Sequence, residues 1–182
     1  GLVALSGVLL VLFPDLLGGV GVAQAGRDVE SSFGFRLSVW RAALQVLQAF
    51  PFTGVGIGTF NTIVRLLFPH LYPANPYDPS ITITHAHNEL LQVAIDLGIP
   101  GFVAYVALLT AFARTAWRAY VWAPDERTRR VVLGLGAGMV AHQLFGLTDA
   151  FMLGTKPGIV MWIIMGLITG LYLRLAPDHQ PG

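Results

Sequence analysis

The chain has 182 residues, of which 54% are hydrophobic and only 12% are charged. A soluble domain carries about 25% charged residues, so roughly half that share predicts that lipid solvates much of this chain. The net charge of +1 and the lack of a basic run with interleaved aromatic residues argue against nucleic acid as a partner. Cysteine is absent, which excludes disulfides, a thiol nucleophile and thiolate metal ligands.

The first residues predict a membrane segment rather than a signal peptide. Residues 1–17 form an apolar run with no basic n-region and no small-residue cleavage site. Residues 2–17 would extend over about 24 Å as a helix, which is less than the roughly 30 Å of a hydrocarbon core. We therefore expect a truncated transmembrane helix and, more broadly, the C-terminal portion of a larger membrane protein.

Residues 18–86 are the one long segment without a spanning pattern, and residues 35–50 within it show helical periodicity. The predicted apolar side holds Leu37, Trp40, Ala43, Leu44 and Leu47, and the polar side holds Ser38, Arg41, Gln45 and Gln48. Arg36 falls on the apolar side, in the first turn, where the helix dipole disfavours a cation. It therefore needs an anionic partner, unless it snorkels over apolar surface.

The next residues predict a turn, a short helix and a loop. The alternating glycines of residues 52–60 lack the G-x-G-x-x-G spacing and a preceding strand, so a tight turn with close backbone approach is favoured over a nucleotide loop. Residues 61–68 form a short amphipathic stretch that carries Arg65. Residues 69–80 hold four prolines, which predicts an extended loop and no helix.

Residues 87–121 would make a helix of about 52 Å, which is too long for one crossing. The sequence Gly98-Ile99-Pro100 predicts a break, with an interfacial helix over 87–97 and a transmembrane helix that follows it. Arginines in the loop 122–130 predict that this loop is cytoplasmic, so the loop 18–86 is extracytoplasmic. Two further spans are predicted within 131–175, the first with glycines suited to close helix packing, and residues 176–182 form a cytoplasmic tail. Trp117, Tyr120 and Trp122 predict an aromatic belt at the far end of the first span.

Polar side chains gather where the long loop meets the membrane helix, and ionisable groups at such a boundary indicate a functional site. The group consists of His85, His87, Asn88, Glu89 and Gln92. At a helix N-terminus the dipole opposes a protonated His87, so the imidazole can act as a base, and backbone N–H groups can bind phosphate. This pair of properties suits attack by a hydroxyl on a phosphate-linked carbon, with Arg36 and Arg65 as counter-charges and Glu89 orienting a histidine.

Three other interpretations of the polar group stay open. The histidines can cap the helix and bond backbone carbonyls. A metal site on His85, His87 and Glu89 is disfavoured because residues two apart diverge on a helix and no His-Glu-x-x-His pattern occurs. Nucleophilic catalysis lacks a Gly-x-Ser-x-Gly elbow, and His142 with Asp149 favours polar packing inside a helix bundle.

An ordered set of motifs resembles the bacterial O-antigen ligase and O-antigen polymerase superfamily. The motifs are Arg36-x-x-x-Trp40, Pro51-x-x-Gly54-x-Gly56-x-Gly58-x-Phe60, His87-Asn88 and Gly98-x-x-Gly101. The resemblance covers about residues 33–112 well and the last two spans loosely. Phe102 stands where ligases usually have threonine, a departure that concerns the ligase subtype and not the superfamily.

The resemblance implies an all-α, polytopic protein of the bacterial cytoplasmic membrane with a large extracytoplasmic loop of amphipathic helices. It implies glycan transfer from an undecaprenyl-diphosphate carrier to the hydroxyl of a glycan, lipid A core or other acceptor, with no metal and no cofactor. His87 maps to the base and Arg36 to the diphosphate contact. The candidate substrate-binding residues are Asn88, Arg65, His85, Glu89 and Gln92. The alternatives are a non-catalytic transporter or scaffold subunit of a surface-polysaccharide system and a ligand-binding sensor.

Overall fold

The computed structural model describes residues 32–72, 82–150 and 156–176, and every regular element in these ranges is a helix. The α-helices are α1 (Ser32–Ala49), α2 (Phe60–Leu67), α3 (Glu89–Trp122), α4 (Glu126–Phe145) and α5 (Lys156–Leu175). The all-α prediction is therefore confirmed for the described residues. The truncated helix and linker of residues 1–31, most of the proline-rich loop and the C-terminal tail lie outside these ranges, as does the turn at 151–155.

A first core joins α1 and α2 to the beginning of α3. Its fully buried members include Val39, Ala42, Ala43, Val46, Phe60, Val64, Ile83 and Ile95. The predicted apolar side of α1 was partly wrong, because Leu37, Trp40 and Leu44 are only half-buried. Apolar residues lie on more than one stripe of this helix, so its packing partners decide which stripe is buried. Small side chains such as Ala42 let the neighbouring segments approach closely.

The predicted glycine turn and the predicted helix break lie against each other. Gly98 interrupts α3 with φ 71° and ψ −177°, a region that only glycine adopts readily. Pro100 has no N–H, so the carbonyl of Asp96 accepts instead from the amide of Gly56 at 2.9 Å. Ile95 and Ile99, which would bond each other in a regular helix, bond Val55 at 2.8 Å and Pro51 at 2.7 Å. Both predictions are confirmed.

Two predicted boundaries were wrong. The helix expected from His87 begins at Glu89, because Asn88 has extended backbone and caps α3 by accepting from the amide of Leu91 at 2.9 Å. The loop expected from residue 69 opens with a 3-10 helix, Pro69–Leu71. A proline suits the first position of such a turn, since the missing N–H has no helical partner there.

The three long helices α3, α4 and α5 pack side by side through two further cores. One contains Tyr105, Met139, Met161 and Met165, and the other, farther along α3, contains Ala119, Val132 and Ile168. In the described residues, α3 and α5 are long and apolar enough to cross a membrane. Arginines at the start of α4 and polar residues near its end lower its hydropathy, so its predicted crossing stays a prediction.

The ends of the long helices show which parts of the chain lie far from the polar group. The rings of Trp122 and Tyr172 stack at 5.4 Å, and the Arg118 guanidinium lies 3.4 Å from the Tyr172 hydroxyl. The C-terminal ends of α3 and α5 therefore meet, far from His85 and His87, which precede the other end of α3. Close packing was predicted for the glycines along α4 and occurs at Gly138, where an added Cβ would lie 3.5 Å from Ile164. The prediction was wrong for Gly134 and Gly136, where no described heavy atom lies within 4 Å of an added Cβ.

Candidate functional site

Three ionisable side chains from two distant segments meet at the N-terminus of α3. The Nδ1 atom of His87 lies 3.2 Å from Oδ1 of Asp149, and Nδ1 of His85 lies 3.5 Å from the same oxygen. The two imidazole rings meet edge to face, with centroids 4.3 Å apart. We call His85, His87 and Asp149 the triad.

Hydrogen bonds between α3 and the end of α4 bring the triad together. The amide of Glu89 donates to the carbonyl of Gly146 at 2.6 Å, and the side-chain amide of Asn88 donates to the carbonyl of Leu147 at 3.1 Å. Gly146 permits this approach, since an added Cβ would lie 3.0 Å from Cβ of Glu89. Asp149 follows two residues after Leu147. The predicted phosphate site at this helix end is therefore partly occupied, because the Glu89 and Leu91 amides already have acceptors within the protein.

His87 has an unusual backbone conformation for a residue with a side chain. Its φ is 49°, in the left-handed region that histidine enters more often than most residues. Strained backbone of this kind concentrates at functional sites. The ring of Phe35 meets the imidazole edge to face at 6.0 Å, so α1 also helps to hold it. About a quarter of the side chain stays exposed (24%), which leaves the imidazole accessible.

The hydrogen bond to Asp149 defines what the His87 imidazole can do. A proton on Nδ1 can be donated to the carboxylate, and the neutral ring then has its lone pair on Nε2. An imidazole held in this way can act as a general base, because a carboxylate at Nδ1 fixes the tautomer and stabilises the imidazolium that forms. Glu89, which the sequence suggested as the orienting group, is not the carboxylate in contact with the histidines.

His85 has the opposite tautomer. Its Nδ1 accepts from the backbone amide of His87 at 3.3 Å, so the proton of the neutral ring lies on Nε2. Burial lowers the pKa of His85 below its usual 6.5, and the neighbouring His87 lowers it further, while Asp149 acts in the opposite direction. Burial therefore favours the neutral form of His85.

A chain of buried hydrogen bonds on α3 stabilises the segment that carries the two histidines. The Gln92 side chain accepts from the amide of Ala86 at 2.7 Å and donates to the Asp96 carboxyl at 2.9 Å. Ala86 lies between the two histidines, so this bond positions both of them. Gln92 is 3% exposed and Glu89 only 2%. Their burial favours support of the loop over contact with a substrate.

The two candidate arginines lie in different surroundings. Arg36 is half-buried on α1, in line with buried Val39 and directly after Phe35, which touches His87. Within the described residues it has no carboxylate at ion-pair distance. Arg65 donates to the Tyr72 hydroxyl at 3.1 Å and stacks over that ring at 4.9 Å. Arg65 is therefore held on Tyr72, whereas Arg36 directly follows Phe35, whose ring meets the His87 imidazole.

Asp149 is the site residue that sequence reasoning missed. It was paired with His142, seven positions away, whereas its partner His87 is 62 positions away. One signal was available, because Asp149 is the only carboxylate residue between Glu126 and Asp178. The predicted topology also placed it on the same side of the membrane as His87.

The argument from helical spacing against a metal was wrong in its premise. His85 and His87 precede α3, and the bent, non-helical chain there lets both rings reach one carboxylate. The ligand atoms of the triad all lie within 4.8 Å of one another. The third donor is Asp149 and not Glu89.

The described residues form a helical protein with two helices long and apolar enough to cross a membrane and an imidazole–carboxylate contact suited to acid–base chemistry. A family profile described as O-Antigen ligase matches residues 1–106. The chain belongs to the O-antigen ligase family, and the predicted resemblance is confirmed. The match includes α1, the glycine turn, both histidines and the kink in α3, and Asp149 lies beyond it. No curated protein matches the chain.

Membership of this family implies glycan transfer of the O-antigen ligase or polymerase type. It also implies a membrane-associated protein whose partners are a lipid-linked glycan and an acceptor.

Proposed function

We propose that the protein transfers a glycan from an undecaprenyl-diphosphate carrier to an acceptor hydroxyl at the outer face of the cytoplasmic membrane. His87 is the general base and Arg36 binds the diphosphate. The observation that carries this proposal is the 3.2 Å contact between Nδ1 of His87 and Asp149 in a member of a glycan-transfer family. It leaves Nε2 of an accessible imidazole ready to accept a proton.

In the proposed step, the acceptor hydroxyl attacks the anomeric carbon of the donor sugar. The new carbon–oxygen bond forms as the bond from that carbon to the diphosphate oxygen breaks, and undecaprenyl diphosphate leaves with the electron pair. The hydroxyl proton passes to Nε2 of His87. Asp149 then stabilises the imidazolium across the bond to Nδ1.

Arg36 suits the diphosphate for two reasons. A guanidinium presents a planar fork of donors that matches phosphate oxygens, and such charge-assisted bonds are about twice as strong as neutral ones. A half-buried arginine without a carboxylate neighbour among the described residues also keeps its charge for an anion from outside. Its neighbour Phe35 packs on His87, so base and diphosphate contact belong to one local structure.

The membrane topology is part of the proposal. The loop 18–86 is extracytoplasmic, and the loop 122–130 and the tail are cytoplasmic. The arginine-rich turn after α3 lies at the end of this helix that is opposite the triad. This arrangement supports an outer-face site, where the lipid-linked donor and the acceptor would meet.

The test is a transfer assay with purified lipid-linked donor and the intact protein carrying His87→Ala or Arg36→Ala. His87→Ala should lower transfer by at least about 10²-fold, as loss of a general base does, with membrane insertion unchanged. Arg36→Ala should also abolish transfer, because it removes the proposed diphosphate contact. His70→Ala is the matched control, since His70 is exposed in the 3-10 turn. Normal transfer by both variants would contradict the proposal and favour the transporter or scaffold alternative, which tolerates loss of the imidazole.

A further inference from the structure

The triad contains a contact that a hydrogen bond does not explain. His85 Nδ1 already accepts from the His87 amide, so it has no proton to share with Asp149, yet it lies 3.5 Å from the carboxylate oxygen. In this tautomer both atoms are acceptors, and their partial negative charges repel across this distance. A cation bound between them would turn the repulsion into coordination. The contact between His87 and Asp149 needs no such help, because Nδ1 of His87 can carry a proton.

The distances agree with the coordination of a small transition-metal ion. Zinc binds imidazole nitrogen at about 2.0–2.1 Å and carboxylate oxygen at about 2.0–2.2 Å in a tetrahedron, so neighbouring ligand atoms lie about 3.3–3.5 Å apart. The two nitrogen–oxygen separations in the triad are 3.2 and 3.5 Å. All three ligand atoms lie within 4.8 Å, a spacing that rotation of one imidazole can shorten.

We propose that His85, His87 and Asp149 form a binding site for a divalent ion of the zinc type, with three protein ligands and a fourth position open. Imidazole ligands favour zinc, cobalt and nickel over magnesium and calcium, which prefer oxygen. The ligand side chains are 20%, 24% and 36% exposed, so an ion can enter from solvent. The Ala150 amide donates to Oδ1 of Asp149 at 2.9 Å and orients the carboxylate.

Occupation of this site has a consequence that rests on the proposed function. An ion on Nδ1 of His87 displaces the proton there, so the neutral imidazole has its proton on Nε2. Nε2 of His87, which should take the proton from the attacking hydroxyl, is then a hydrogen-bond donor and cannot do so. The ion is therefore a reversible inhibitor of glycan transfer. The His87 amide gives up its bond to His85 when the ion binds, which keeps the affinity below that of a closed structural site.

The binding test uses the intact protein without a polyhistidine tag, titrated with cobalt(II). The expected result is one equivalent of cobalt with the visible absorption bands of a four-coordinate ion, displaced by zinc. His85→Ala and Asp149→Ala should each weaken binding by about tenfold or more. His70→Ala should bind as the parent does, and circular dichroism verifies the helix content of each variant. Absent bands, or bands that both triad variants retain, would overturn the site.

An inhibition test separates this inference from the proposed function. Zinc should lower the transfer rate of the parent, and a chelator should restore it. The His85→Ala protein, compared with its own metal-free rate, should need at least about tenfold more zinc for the same fractional loss. Failure to bind cobalt would remove the metal site and leave the role of His87 intact. Stoichiometric binding at the triad with undiminished transfer would contradict the role of His87 as base.

Discussion

The side-chain amide of Asn88 donates to the carbonyl of Leu147 at 3.1 Å, across 59 positions of sequence. The other end of the same carboxamide accepts from the amide of Leu91 at 2.9 Å and begins α3. One residue thus caps the helix that follows the histidines and holds the segment that carries Asp149. We therefore expect the contact between His87 and Asp149 to depend on both hydrogen bonds of the Asn88 side chain.

Replacing Asn88 separates the two roles. Asn88→Asp keeps the capping oxygen but cannot donate to Leu147, so thermal stability should change little while the transfer rate falls. Asn88→Ala loses both bonds, and the free energy of unfolding should drop by about 0.5–2 kcal/mol, as for other lost helix caps. Thermal unfolding and transfer assays on both variants test this. Full transfer by Asn88→Asp would show that the Leu147 bond does not position Asp149.

In the proposed mechanism Asp149 acts through His87, so its replacement should affect turnover more than binding. We expect Asp149→Asn to lower kcat by about 10²- to 10⁴-fold, the range for a disabled general base, with an unchanged KM for the lipid-linked donor. Asp149→Glu retains the charge and should recover part of the rate. Steady-state kinetics on the three proteins distinguish positioning from structural damage. A raised KM with normal kcat would assign Asp149 to donor binding instead.

Gln92 is expected to stabilise the histidine segment. Gln92→Leu leaves the amide of Ala86 without its acceptor, and a buried donor without a partner costs about 1–3 kcal/mol. Chemical denaturation in detergent should show this loss. Gln48→Leu is the same replacement at an exposed position of α1 and should stay within about 0.5 kcal/mol of the parent. Equal effects of the two changes would contradict the chain of buried hydrogen bonds.

The kink at Gly98 should not tolerate a side chain. A Cβ added there would lie 2.6 Å from the carbonyl oxygen of Phe52, and the backbone region is itself costly by about 1–3 kcal/mol for other residues. Gly98→Ala should therefore lower thermal stability strongly. Gly134→Ala is the control, since no described heavy atom lies within 4 Å of the added Cβ, and alanine favours the helix by roughly 0.5–1 kcal/mol. A thermal shift assay decides between destabilisation and neutrality.

The lowered pKa of His85 predicts how stability responds to acid. Because the folded pKa lies below 6.5, the unfolded chain binds more protons in the interval beneath that value. Stability should therefore fall as the pH decreases from neutral through 6.5 toward the folded pKa. His85→Gln should flatten this part of the curve of melting temperature against pH. An identical slope in the variant would assign the effect to another group.

Local signals in the sequence were sufficient for several features of the fold and the site. The break at Gly98-Ile99-Pro100 and the polar group before α3 could be predicted because both depend on the conformational preferences of residues adjacent in sequence. The start of α3 was misplaced by two residues because a positive φ at His87 is set by tertiary contacts. The buried stripe of α1 likewise depends on which segments pack against it.

Asp149 shows why the remaining part of the site was not predictable. Its approach to His87 depends on the docking of the end of α4 on the start of α3, through Gly146 and Asn88. No periodicity reports a contact of this separation. The only signal in the sequence was that Asp149 is an isolated acidic residue at the outer end of a predicted membrane helix. The sequence analysis paired it with His142, which is nearer in sequence than His87.

The kink in α3 is braced rather than flexible. A bend at a glycine followed by a proline usually exposes backbone groups that can change partners, and it then works as a hinge. Here the backbone groups at the bend form hydrogen bonds with Pro51, Val55 and Gly56, so the glycine turn stabilises the bent conformation. Any tilt of the long helix in its surroundings must carry the turn, α1 and Phe35 with it. With α3 as the proposed membrane span, we expect the triad to keep its geometry while this helix adjusts to bilayers of different thickness.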